Sequence, residues 1–290
     1  MMNFHEIVEL PWKKSFTSLM RYTFIEEMIK NGELESARFN FVLKHWERIK
    51  LLTLVDPFRM ATLIELLNKT KLITGDIVEC GSYKGGTGII TALWLKENQI
   101  DKKVYLLDSF EGLPDPDKIN DSGYKKGQFK SNYENLKNLL IELGLENNIV
   151  ILKGWFKDTI PLLPDNLKIS FLHIDCDLYT STNDCFPALY SSVCKGGAIV
   201  LDDYNDGGGG EKRAVEEFFS RNKIKETIEL SAAPQSFIIK GEDYGNSSFV
   251  RLVNNQNYSH KYINEYSEYL LWLNKNFGID LISQIKHINE

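Results

Sequence analysis

No apolar stretch in these 290 residues approaches the roughly 20 that a bilayer helix needs, so a membrane span is not expected. Met1 to Leu10 carries two acids and neither a basic flank nor an apolar core, so no secretory signal is expected either. Cysteine is scarce and unpatterned. Cys80, Cys176, Cys185 and Cys194 contain no C-x-x-C spacing, and two of them lie inside apolar strand patterns. Small buried side chains in a reducing cytoplasm are the expectation, rather than metal ligands. An excess of positive charge is also missing. With 34 Lys and Arg against 40 Asp and Glu, the net charge of −6 argues against a general electrostatic grip on nucleic acid. No internal repeat is evident. What the chain does have is 43% hydrophobic residues over a length that buries a full core.

Residues 1–70 read as helical. Leu51, Leu52, Val55, Met60, Leu63, Ile64, Leu66 and Leu67 recur near helical spacing around Pro57, which starts a helix well at its first turn. From there to Lys240, strand and helix patterns alternate, the signature of a doubly wound α/β sheet. The strands are expected at Asp76–Cys80, Val104–Asp108, Ile149–Lys153, Ile169–Asp175 and Ala198–Asp202. Helices are expected at Gly86–Glu97, Asn132–Leu143, Asp184–Val193 and Glu211–Arg221. Two last runs, Glu226–Leu230 and Gln235–Lys240, are separated by only four residues and predict an antiparallel hairpin. The fold expected is Rossmann-like, mostly parallel, with a C-terminal antiparallel hairpin strand. The division expected is a helical cap or lid over 1–70, a catalytic domain over 71–240 and an extension over 241–290. In that extension Tyr262, Tyr266, Tyr269, Trp272 and Leu273 fall on one helical face, which suits packing on the chain's own domain, a homo-oligomer contact or a cover for the acceptor.

The first strand runs into Glu79-Cys80-Gly81-Ser82-Tyr83-Lys84-Gly85-Gly86-Thr87-Gly88. A glycine directly after a strand turns tightly and lets a ligand approach the backbone, while the following helix offers free N–H groups. The dinucleotide fingerprint needs glycine where Tyr83 stands. The E-x-G-x-x-x-G spacing from Glu79 to Gly85 suits S-adenosylmethionine instead. A tight turn with no ligand is the alternative. The second strand closes on Asp108, followed by Ser109, and an acid there can accept from both hydroxyls of a ribose. Glu79, Gly81, Ser82, Tyr83, Asp108 and Ser109 are therefore the candidate cofactor contacts.

Two later apolar runs end on acid pairs, Asp175-Cys176-Asp177 and Asp202-Asp203. Parallel strands deliver such residues into one crevice, and four carboxylates there repel one another unless a cation neutralises them. A hard divalent metal with oxygen ligands is expected. A bend after Asp175 frees Asp177 from the ion, so Asp177 is the candidate general base. Helix caps and wet strand ends are the bland alternative.

From about Gly75 to Lys240 the chain resembles the macrocin O-methyltransferase family. The shared features are Gly75-Asp76-Ile77-Val78-Glu79-Cys80-Gly81, Asp108-Ser109-Phe110-Glu111-Gly112-Leu113-Pro114 and Gly154-Trp155-Phe156-Lys157-Asp158-Thr159. Asp175-Cys176-Asp177-Leu178-Tyr179-Thr180-Ser181-Thr182 and the stretch from Gly196-Gly197 to Asp202-Asp203-Tyr204 complete them. The resemblance implies a class I methyltransferase fold and an enzyme that moves methyl groups from S-adenosylmethionine to a sugar hydroxyl; a cytoplasmic location is expected from the cysteines and the N-terminal residues above. It implies Asp175, Asp202 and Asp203 as Mg2+ ligands, Asp177 as base, and Trp155 and Phe156 beside the adenine. The glycine run Gly207–Gly210 and the long tail depart from the family pattern.

The segment Phe110 to Lys130, rich in Asp and Pro, is expected to be a mobile lid over the acceptor. His173 sits in an apolar strand and is expected as a satisfied core residue rather than a base. His45 and His260 show no partner pattern. Two rivals remain: a nucleotide-sugar glycosyltransferase using the D-x-D, which gives no reason for Glu79-x-Gly81 and Asp108 to precede it, and a non-catalytic cofactor-binding assembly protein.

Overall fold

The structure, a computed structural model, describes residues 37–206, 208–231 and 235–241. Its centre is a sheet of seven strands, β1 (Asp76–Cys80), β2 (Val104–Asp108), β3 (Ile149–Lys153), β4 (Ile169–Ile174), β5 (Val193–Leu201), β6 (Glu229–Leu230) and β7 (Ser236–Ile239). They lie in the order β3-β2-β1-β4-β5-β7-β6. The first five are parallel, and β7 runs antiparallel to both β5 and β6. Chain direction across the sheet reverses between β1 and β4, and a crevice opens at such a point outside the strand carboxyl ends. All six residues of β4 are buried, as a strand covered on both faces requires.

Seven helices among the described residues clothe the sheet: α1 (Ala37–Ile49), α2 (Pro57–Thr70), α3 (Gly86–Glu97), α4 (Tyr133–Glu142), α5 (Phe156–Thr159), α6 (Tyr179–Tyr190) and α7 (Glu211–Asn222). Pro57 does open α2, behind Asp56, whose carboxylate accepts from the Arg59 N–H three residues on at 3.2 Å. α3 buries its first ten residues because α1 and α2 cover the side that the sheet does not. No helix among the described residues is long and apolar enough to cross a membrane.

Several boundaries differ from expectation. α6 begins at Tyr179 rather than Asp184 and ends at Tyr190, with Pro187 inside it. β5 begins at Val193, so Lys195-Gly196-Gly197 belongs to a strand that was expected only from Ala198. β6 is two residues long, and α5 with the 3-10 turn Ile160–Leu162 had no sequence signal. Cys80, Cys176 and Cys185 are buried free thiols and Cys194 is half-buried. The aromatic face at 262–273 and His260 lie outside the described residues.

Candidate active site

Sheet register assembles the site. Cys80 pairs with both Leu107 and Ile174, and Ile174 pairs with Leu201, so Gly81, Asp108, Asp175 and Asp202 leave four adjacent strands at one level. Backbone bonds carry the alignment one step further: Gly81 N–H to Leu107 O, Asp175 N–H to Cys80 O and Asp202 N–H to Ile174 O, each at 2.9 Å. Gly81 has φ +92°, and a Cβ there would stand 1.8 Å from the Asp175 carbonyl oxygen. The two functional turns touch only because this residue has no side chain.

A cavity of about 810 Å³ spans these strand ends. On one side lie Gly81, Ser82, Tyr83, Asp108, Ser109, Trp155 and Phe156. Asp108 accepts from the Tyr83 N–H at 2.7 Å and the Phe110 N–H at 2.6 Å. Burial pushes its carboxyl up, against the pull of those backbone donors. Ser82 Oγ is buried without a partner, and Trp155 keeps 43% of its surface exposed on the wall. A free hydroxyl and a bare flat ring in a cavity of this size fit a nucleoside-like ligand. Glu79, expected among these contacts, lies behind the lining; its carboxylate accepts from Thr87 Oγ1 at 2.6 Å and faces His173 Nδ1 at 3.6 Å.

The other side gathers Asp175, Asp177, Asp202 and Asp203. Asp177 has φ +58°, the bend that turns its side chain away from the line of β4. Burial pushes Asp175 and Asp203 well up, and repulsion from neighbouring acids adds to it, chiefly from Asp202 on Asp175 and from Asp177 on Asp203. Burial also pushes Asp177 up to about 7, although the nearby Tyr124 hydroxyl opposes this. Asp202 goes the other way. Burial alone raises it, but Arg59, His173 and Gln235 outweigh that and hold it at about 2. The oxygens of Asp175 and Asp202 and a ring nitrogen of His173 lie within 4.8 Å of one another. Asp203 Oδ2 is buried with no partner. A buried carboxylate oxygen left without a partner beside this group fits a hard divalent cation.

Two features here were not legible in the sequence: the surroundings of His173 and the presence of Arg59. His173 is buried, as expected; burial pulls its pKa down, yet Asp202 and Glu79 raise it well above the usual value. Arg59, from α2, inserts its guanidinium between Asp56 and Asp202. His45, without a legible partner, meets Glu97 at 2.9 Å.

The segment after β2 closes one wall. Asp121 is buried, and its Oδ1 accepts from the N–H groups of Tyr179 and Gly210, both at 2.9 Å. One carboxylate thus caps the starts of α6 and α7. Tyr124 donates to Asp206 at 2.8 Å and packs edge-on to Phe129, 6.3 Å between ring centres. The glycine run now has a reason: a Cβ on Gly209 would meet the Asp177 carbonyl oxygen at 2.4 Å and the Tyr124 ring at 3.1 Å.

Residues 25–232 match the family described as Macrocin-O-methyltransferase (TylF). The demethyldecarbamoylnovobiocin O-methyltransferase of Streptomyces niveus is 35% identical over 142 residues, 46% of this chain and 53% of that protein. The 8-demethyl-8-(2,3-dimethoxy-alpha-L-rhamnosyl)-tetracenomycin-C 4'-O-methyltransferase of Streptomyces olivaceus is 30% identical over 141 residues, 46% of this chain and 54% of that one. The chain therefore spans about half the length of these relatives. Among solved structures, the O-methyltransferase NovP superimposes with a TM-score of 0.59 at 26% identity, covering 66% of this chain and 83% of that one.

Proposed function

Because this chain belongs to the macrocin O-methyltransferase family, we propose that it moves a methyl group from S-adenosylmethionine to a hydroxyl of a sugar or glycosylated small molecule, with help from Mg2+. The observation that carries this reading is the shared level of Gly81, Asp108, Asp175 and Asp202 at one sheet edge, with a donor-sized space beside an acid cluster.

S-adenosylmethionine, when bound, supplies a methyl group activated by a sulfonium. The backbone turn at Gly81, the hydroxyls of Ser82 and Ser109 and the carboxylate of Asp108 would hold it, with Tyr83 alongside and Trp155 and Phe156 against its base. Mg2+, when bound, lowers the pKa of a coordinated hydroxyl. Asp175, Asp202 and Asp203 would hold it. Asp177 would accept the acceptor's hydroxyl proton at its carboxylate, so that the oxygen's electron pair forms the new bond to the methyl carbon as the carbon–sulfur bond breaks and its pair leaves with the sulfur as S-adenosylhomocysteine. Tyr124 and Phe129 line the cavity beside Asp177, where they would shield the bound acceptor from water and help hold it in line with the donor.

The test is calorimetric titration with S-adenosylhomocysteine, followed by transfer of labelled methyl to a panel of glycosides with and without chelator. Binding, and transfer that EDTA abolishes and Mg2+ restores, is the expected result. Transfer that survives chelation removes the ion from the mechanism; no affinity for S-adenosylhomocysteine removes the donor.

A further inference from the structure

Asp202 differs from the other acids of the cluster in having no oxygen to spare. Its Oδ1 accepts from Gln235 Nε2 at 2.8 Å and faces His173 Nε2 at 3.4 Å, and its Oδ2 pairs with Arg59 Nη1. Both residues of that pair are buried. Arg59 is itself fixed by two further contacts, Nε to Asp56 Oδ2 at 3.1 Å and Nη2 to the Leu54 carbonyl at 2.8 Å. Burial works against its charge, yet Asp202, Asp56, Asp203 and Asp175 together raise its pKa further.

Resting on the reading of these acids as a divalent-ion site, we infer that Arg59 is the resident cation of that site: it occupies Asp202 when the ion is absent and gives up Asp202 Oδ2 when the ion binds. The argument is one of charge and valence. A guanidinium and a doubly charged ion sharing one carboxylate oxygen are held within a few ångströms of each other, in surroundings where such repulsion is weakly screened. Asp56 and the Leu54 carbonyl retain Arg59 after Asp202 is released, so the exchange leaves no buried cation unpaired. Ion binding is then a competition, and the protein holds its ion more weakly than the three carboxylates alone would. Arg59 is a positioning residue in this scheme, since it acts through Asp202.

The exchange makes a prediction opposite in sign to a purely structural role. Calorimetry with MgCl2, at one pH and salt concentration, should give Arg59→Gln at least tenfold tighter binding than the wild type. Its melting temperature should fall in EDTA and rise more on Mg2+ addition than that of the wild type. A crystal of the wild type soaked in MnCl2 should have Asp202 on the ion and Arg59 drawn back to Asp56. Equal or weaker Mg2+ binding by folded Arg59→Gln overturns the inference alone, as does manganese bound while Arg59 still touches Asp202. Absence of ion binding by both proteins overturns the ion site itself. If Arg59→Gln does not fold, the manganese structure decides.

Discussion

Gly81→Ala tests the contact on which the whole site depends. At φ +92° an L-residue pays a left-handed penalty of about 1–2 kcal/mol. The added Cβ would also lie 1.8 Å from the Asp175 carbonyl oxygen, so the ends of β1 and β4 must part by about 1.2 Å to restore even a tight 3.0 Å contact. The Asp175 N–H bond to Cys80 O resists that opening. Overpacking of this kind costs about 1–3 kcal/mol, for a total of about 2–5 kcal/mol against a typical stability of about 5–15. Gly127→Ala is the control: φ is +74°, but nothing lies within 4 Å of its Cβ, so only the conformational part is lost. Urea unfolding measures both. Gly81→Ala should be the less stable of the two by at least about 1 kcal/mol and should lose affinity for S-adenosylhomocysteine, because the parted strands displace Ser82. Equal stability of the two variants with unchanged affinity refutes the reasoning.

Asp177→Asn should lower methyl transfer by about 10²–10⁴-fold while S-adenosylhomocysteine binding stays intact, and wild-type turnover in this variant removes Asp177 as base. Ion-free protein should lose stability as pH rises from about 5 to 8. The sign follows from carboxyls raised in the fold, Asp177 to about 7 and Asp175, Asp203 and Glu211 also upward, which bind protons that the unfolded chain releases. Melting temperatures in EDTA across that range check it, Mg2+ should flatten the decline, and a level or rising EDTA curve contradicts the charge assignment. Asp121→Ala strips the acceptor from the N–H groups of Asp117, Tyr179 and Gly210, each worth about 1–3 kcal/mol if left buried and unpaired. Limited proteolysis within 110–131 should quicken in that variant, and an unchanged cleavage rate denies Asp121 its holding role.

The five parallel strands were legible because each is an apolar run that stops at glycine or aspartate: Gly81, Asp108, Gly154, Asp175 and Asp202. Asp175 and Asp202 could be assigned to one crevice from that pattern alone, and register then set them side by side. α6 was misplaced for a physical reason. Its first turn, Tyr179-Thr180-Ser181-Thr182, has weak helix propensity and is started by Asp121, a cap 58 residues away that no local pattern contains. β5 was shortened because its glycine pair reads as a turn. His173 was correctly expected to be buried, but the acids that raise its pKa come from the two flanking strands, Glu79 on β1 and Asp202 after β5. Arg59 was invisible as part of the site because its partner lies 143 residues away and its own helix gives no sign of chemistry.

The clamps on Asp202 also order events during synthesis. Arg59 emerges early, with α2, but Gln235 leaves the ribosome only after all five parallel strands and α7 are complete. A chain that ends after α7 therefore contains Arg59 and all four acids but lacks the amide that holds Asp202 Oδ1. The contacts around Asp202 are completed by the closing hairpin, beside the last described strand, rather than by the parallel core alone.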